Sequence, residues 1–173
     1  MVRMGLGFAL GAALVLGCAT TGKPEPVRNY GFAHDVHSDV KQVSLGHFVG
    51  PFEKTGICLA HVGTKDEEAG ALHVLGTVDQ RWITSTEIIS CSYTGTSTCT
   101  YLDGSATTEA WTGECHAERS GHVVIKTNGV FVSGTGRFAG IQGTTWGTSW
   151  DITSEPEFAS YSVTSAKYTV PPK

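Results

Sequence analysis

The side chains in this chain that could do chemistry are mostly dispersed, and cysteine is the one type with a readable arrangement. There are five: Cys18, Cys58, Cys91, Cys99 and Cys115. An odd number leaves one thiol over in an exported chain, and setting Cys18 aside leaves four that can pair in three ways. An oxidising compartment favours bridges over free thiols, so Cys58, Cys91, Cys99 and Cys115 are expected to form disulfides. The stretch CSYTGTSTC from Cys91 to Cys99 reads as a hairpin. Facing residues in a hairpin can approach the ~5.5–6 Å Cα separation of a bridge. The expected pairing is therefore Cys91–Cys99, with Cys58–Cys115 joining distant strands. Zinc is the rival use of four cysteines, but no C-x-x-C pair is present.

Histidines and carboxylates offer less. His34-Asp-Val-His37-Ser-Asp39 has a spacing that could hold a divalent ion. A third histidine or a helical pattern to fix the geometry is missing, a polar entry segment explains the residues as well, and no metal is assigned. His61 and His73 flank the acidic segment 63–70 and are expected to face each other across it. No catalytic role is assigned to Glu87, Asp103 or Glu109. The chain has no G-x-S-x-G elbow and no phosphate-cradling or dinucleotide-binding glycine loop. No catalytic residue and no cofactor are therefore assigned. Trp82, Trp111, Trp146 and Trp150 are expected to fill or line an interior.

The frame that must position these residues is a single domain of 173 residues. Charged residues make up 16% of it, below the ~25% of a typical soluble protein. With 22 glycines, this composition suits strands and tight turns better than charged helices. A net charge of -4 and the lack of any Lys/Arg cluster argue against a nucleic-acid surface.

The first eighteen residues, MVRMGLGFALGAALVLGC, form a separate object. Arg3 supplies a short positive region, and the apolar run from Leu6 to Leu16 is too short for a spanning helix, which needs ~20 residues. It fits the core of a signal peptide. Val15-Leu16-Gly17-Cys18 resembles the lipobox of bacterial lipoproteins. The resemblance implies removal of residues 1–17, a diacylglyceryl group on Cys18 and acylation, palmitate included, of the new amino terminus. Several acyl chains anchor stably where one is marginal, so the bilayer is the implied partner of Cys18. Ala19 rather than an aspartate implies the periplasmic face of the outer membrane. Residues 18–40, with Pro24 and Pro26, read as the acylated terminus and a flexible tether.

From residue 41 to 173 the chain reads as β-structure. KQVSLGHFV, KTGICLAHV, ALHVLGTVD and RWITSTEIISCSY are short, β-branched and aromatic, separated by Gly50-Pro51, the segment 63–70 and Asp79-Gln80. Asn128-Gly129 between apolar runs is a two-residue hairpin signal. About eight to ten strands without alternating helices predict an all-β fold: a closed or nearly closed antiparallel barrel of about eight strands, calycin-like in its broad form.

VSGTGRFAGIQG, from Val132 to Gly143, resembles the glycine motif of the allene oxide cyclase and dirigent barrel superfamily. YLDGSATTEAWTG is similar to the Asp-Gly hairpin and Trp-Gly strand of its small secreted bacterial members. The match covers roughly residues 101–150. It implies Gly134 and Gly136 at positive φ in a tight turn, Phe138 plugging one end of the barrel, and Gly140 and Gly143 bending the chain back into the sheet. Family catalytic residues do not map onto Glu87, Asp103 or Glu109. The function expected is a lipid-anchored envelope protein presenting a disulfide-braced barrel that binds a small apolar molecule or a protein partner. A cyclase- or isomerase-like enzyme working in the cavity is the first alternative. An inhibitor or structural lipoprotein acting through the acidic segments 63–70 or 103–109 is the second.

Overall fold

A computed structural model describes residues 27–62, 68–84, 87–117, 123–152 and 159–172. Within them alternation of inward and outward side chains dominates. On β5 (Glu87–Tyr101), Cys91, Tyr93, Cys99 and Tyr101 are buried, while Ser92, Thr94 and Thr100 are exposed. The same period of two runs through β3 (His47–Val62), β4 (Glu68–Thr84), β6 (Ala106–Ala117), β7 (Val123–Gly134), β8 (Gln142–Ile152) and β9 (Ala159–Thr169). Each wall has one face turned to a common core. β1 (Val27–Ser38) pairs antiparallel with both β9 and β3, which closes eight strands into a ring; the short β2 (Lys41–Ser44) pairs beside the start of β3.

The tilt of the ring follows from its register. Stepping from strand to strand, Phe52 faces Gly76, then Gly95, Trp111, Gly129, Thr145, Ala166 and Val27. Val27 in turn faces Val62, on the strand where the circuit began but ten residues further along. Spread over eight strands ~4.8 Å apart at ~3.3 Å per residue, that stagger tilts the strands by about 40°, inside the ~35–45° typical of closed sheets.

The same circuit explains three misread signals. Gly50-Pro51 and Asp79-Gln80 lie within β3 and β4, and Asn128-Gly129 lies within β7, so none is a turn. A Cβ on Gly129 would stand 2.6 Å from Thr145 Oγ1 and 3.1 Å from Trp111 Cβ. The glycine is there to let neighbouring side chains close over the strand, not to turn it. In the other direction, KQVSLGHFV is not one strand: Leu45-Gly46 turns the chain between β2 and β3, with Gly46 at φ 69°. Val27–Ser38, expected as part of the tether over 18–40, is instead β1 and completes the ring.

Two apolar clusters close the two ends of the interior. One gathers Phe52, Val78, Cys91, Tyr93, Val123 and Ile125, with Trp82 and Trp111 against it. The other gathers Cys58, Ala60, Cys99, Tyr101, Phe138 and Ile141, with Phe131 and Tyr168 against it.

Each cluster contains one disulfide, and the pairing differs from the sequence expectation. Cys58 bonds Cys99 and Cys91 bonds Cys115, at Cα separations of 6.2 and 5.1 Å. Cys91 and Cys99 share one extended strand, eight residues or about 26 Å apart, and CSYTGTSTC contains no turn. The Cys58–Cys99 bridge steps over β4 at Gly70, where a Cβ would lie 3.0 Å from both sulfurs.

Candidate functional site

Inside the ring lies a cavity of about 120 Å³, lined in part by residues of both apolar clusters. Its walls differ. Phe52, Leu72, Val74, Trp111, Ile125 and Phe131, from β3, β4, β6 and β7, supply large apolar side chains, with Lys54, Thr107, Glu109 and Thr127 among them. Opposite them, β8, β9 and β1 contribute Ser149, Ser160, Ser162, Thr164, Gly31 and Ala33. These small side chains leave space that large residues would have filled, and they present hydroxyls to it. For scale, a ~150 Å³ apolar cavity admits a benzene molecule. This interior has room for one group of about that size, with hydrogen-bonding partners on more than one side.

Charged and polar groups reach the same space. Glu109 on β6 and buried Lys54 on β3 both line it. Surrounding protein desolvates the Glu109 carboxyl. Desolvation raises its pKa above the ordinary glutamate range, and a hydrogen bond from Thr145 pulls it partly back. That bond reaches from β6 to β8 across β7 at Gly129, which has no side chain in the way. Lys54 Nζ lies 5.6 Å from the Phe52 ring centre. Trp111 donates its indole N–H to Ser97 Oγ at 2.8 Å, and Gln80 links Trp82 to Tyr93 by accepting from one and donating to the other. The aromatic rings are thereby fixed in orientation.

One end of the ring is closed by the glycine motif. A 3₁₀ turn, Gly136–Phe138, follows β7 and drives Phe138 into the second cluster, 5.2 Å from Tyr101 and 6.4 Å from Tyr168 between ring centres. Gly136 takes φ 59° and Gly140 φ 77°. Gly134 has no positive φ, contrary to expectation. Its lack of a side chain serves close packing instead, since a Cβ would be 2.7 Å from Ile141 Cγ2. Gly143 re-enters the sheet on β8, where a Cβ would crowd the backbone of Tyr168 at 2.6 Å. Arg137 locks the plug from outside. It lies over the Tyr101 and Phe138 rings at 4.9 and 4.7 Å, and donates to Asp103 at 3.0 Å and Glu68 at 2.5 Å. Asp103 sits in the β5–β6 turn and is held below the ordinary aspartate range, first by the Ser105 backbone N–H.

Other sequence candidates separate. His73 faces Thr55, six residues from His61 on β3, and bonds Glu53 at 2.7 Å on the outer surface. It therefore does not face His61. His47 bonds Asp79 at 2.9 Å. His34 and His37 fall on β1 either side of a register shift, and Asp39 pairs with Lys41 at 3.1 Å. Among the described residues no group of three His, Cys, Asp or Glu side chains is placed to hold a metal. The 103–109 segment is not one acidic surface, because Asp103 is exposed at a turn while Glu109 points inward. Cys18 and residues 63–67 lie outside the described residues, and the side chain of Glu87 is likewise not described.

No family model matches this chain, and no curated protein does. Among solved structures it is similar to the pterocarpan synthase dirigent protein GePTS1, at 14% identity over 94% of this chain and 98% of that one, with a TM-score of 0.37.

Proposed function

We propose that the chain is an exported, lipid-anchored binding module whose β-barrel holds one small molecule in its interior. The observation that carries this reading is the cavity of about 120 Å³ inside the ring, lined by large apolar side chains, small hydroxyl residues, Glu109 and Lys54. Such a space suits a molecule with a ring-sized or short-chain apolar body and one hydrogen-bonding group. Two disulfides fit an oxidising, extracytoplasmic setting, and the lipobox-like Val15–Cys18 supplies the membrane anchor. Mass spectrometry of native protein extracted from membranes should find acyl groups on Cys18 and a small molecule released on unfolding. Benzene added to the purified protein should shift the NMR signals of Val74, Ile125 and Phe131. Ser149→Leu, which fills the hydroxyl side, should abolish those shifts. Shifts that persist in a folded Ser149→Leu variant, or shifts at the surface alone, would overturn the cavity reading.

Glu109 favours a second reading, an isomerase- or cyclase-like activity in the same cavity. A desolvated carboxyl retains its proton to higher pH and can donate to a bound oxygen atom. In that case Glu109→Gln would retain binding and lose turnover.

A further inference from the structure

The outer surface of the ring is not uniform. On β5 the outward positions are Ser92, Thr94, Thr96, Thr98 and Thr100, a hydroxyl ladder. On β1, β9 and β8 they include a row of aromatic rings. Phe32 faces Tyr161, and Tyr161 faces Trp150, with ring centres 5.1 and 5.4 Å apart. Ile57 extends the row on the far side of Phe32, and Trp146 stands on the same face of β8 as Trp150. Phe32, Ile57 and Trp146 remain 44%, 51% and 46% exposed. Among the described side chains, the outward positions of β8 and β9 include Lys167 and no acidic group, whereas Glu53, Asp79 and Glu114 lie on β3, β4 and β6. The hydroxyl ladder rules out a spanning barrel, whose outer band is apolar all round. What the ring carries is one side with an aromatic row and, among the described side chains of β8 and β9, no outward acidic group.

The position of the chain's start says what that side meets. β1 begins at Val27, so about nine residues separate it from Cys18. A chain of that length reaches at most ~30 Å when extended. With acyl chains on Cys18 in a bilayer, β1 and its neighbour β9 are held within about one ring diameter of the headgroups. Tryptophan and tyrosine are the residues that settle at that boundary. We infer that the β1–β9–β8 face, through Phe32, Tyr161, Trp150 and Trp146, rests on the lipid headgroup layer and fixes the orientation of the ring on the membrane. This rests on the reading of Cys18 as the acylated anchor.

The test uses the acylated full-length protein in phosphatidylethanolamine–phosphatidylglycerol vesicles, with and without brominated phosphatidylcholine. Trp146 and Trp150 are two of the chain's four tryptophans, while Trp82 and Trp111 pack inside. The expected result is quenching of about half the emission, the outer pair's share of the four. Phe32→Glu/Tyr161→Glu should lose that quenching while still sedimenting with the vesicles. Equal quenching in the two proteins, or none in either, would overturn the proposal. If mass spectrometry finds Cys18 unmodified, the anchor reading fails separately, and the face is judged on the Cys18→Ser chain added to the same vesicles. Bromolipid quenching there that the double Glu variant abolishes supports the face, and its absence overturns it. An oligomer in vesicle-free buffer that the double Glu variant dissociates would assign the face to a second copy and overturn the proposal as well.

Discussion

Replacing Cys91 and Cys99 together with alanine separates the two disulfide pairings more sharply than any single change. In the structure these residues belong to different bridges, so the double variant breaks both. The Cys58–Cys99 bridge closes a sequence separation of 41 and Cys91–Cys115 one of 24. In the chain-entropy description, loops of those lengths contribute about 4 and about 3.4 kcal/mol at 25 °C. Losing both removes about 7 kcal/mol, comparable with the whole stability of an ordinary domain at ~5–15 kcal/mol. Were Cys91 and Cys99 bonded to each other, the same variant would lose a loop of eight residues and only about 2.5 kcal/mol.

Urea denaturation of the wild type, Cys91→Ala/Cys99→Ala and Cys58→Ala/Cys99→Ala measures this directly. The expected order is a large loss for the first variant and an intermediate one, about 4 kcal/mol, for the second. Alkylation of Cys58→Ala under native-to-denaturing conditions should mark Cys99 and leave Cys115 unmodified. A small loss in the Cys91/Cys99 variant, or label on Cys115 after the Cys58 change, would refute the reasoning.

Three further outcomes follow from single residues. Gly136→Val places a β-branched residue at φ 59° with Ser105 against its Cβ; the left-handed backbone alone costs about 1–2 kcal/mol, and an unchanged urea midpoint would show the turn is misassigned. Glu109 has its folded pKa raised by desolvation, so the unfolded chain ionises first as pH climbs past about 4.3, the ordinary glutamate value, and stability falls through that window until the folded group ionises too. Glu109→Gln should remove that decline, and thermal melts whose gap from wild type is flat between pH 4 and 7 would count against it. Asp103 has its folded pKa lowered, chiefly by the Ser105 N–H, so its contribution is present above the ordinary aspartate value and lost as pH falls through the folded one; Asp103→Asn should flatten acid-side melting curves.

Much of the fold was legible because alternation survives in the sequence wherever a strand has one buried face. What defeated the reading was glycine. At Leu45-Gly46, Asp103-Gly104 and Gly136 it turns the chain, with φ of 69°, 78° and 59° at the glycines. At Gly76, Gly95 and Gly129 it lies inside a strand, and these three share a single circuit of the ring with Phe52 and Trp111. There the large rings cover the bare backbone of neighbouring strands. A Cβ on Gly95 would stand 2.9 Å from Trp111 Cζ2. Local sequence cannot distinguish the two uses, because the second is defined by a residue on a different strand.

The interior site was less visible for a different reason, although a signal existed. A disulfide between strands of a ring requires its cysteines to point inward, and that fixes the parity of the whole strand. Counting back by twos from Cys115 on β6 gives Gly113, Trp111, Glu109 and Thr107; counting back from Cys58 on β3 gives Gly56, Lys54 and Phe52. A carboxylate and an ammonium therefore share the buried face with the cysteines. Scattered among surface charges, neither residue stands out. Assigned to the inside of a ring, each carries a desolvation cost that a purely structural core would avoid with an apolar side chain of similar size. The cost is incurred at mid-strand, beside residues of both apolar clusters and hydroxyl-bearing residues that line the same cavity. A carboxyl and an amine set beside a cavity inside the ring are what a binding site needs and what a solidly packed interior does not.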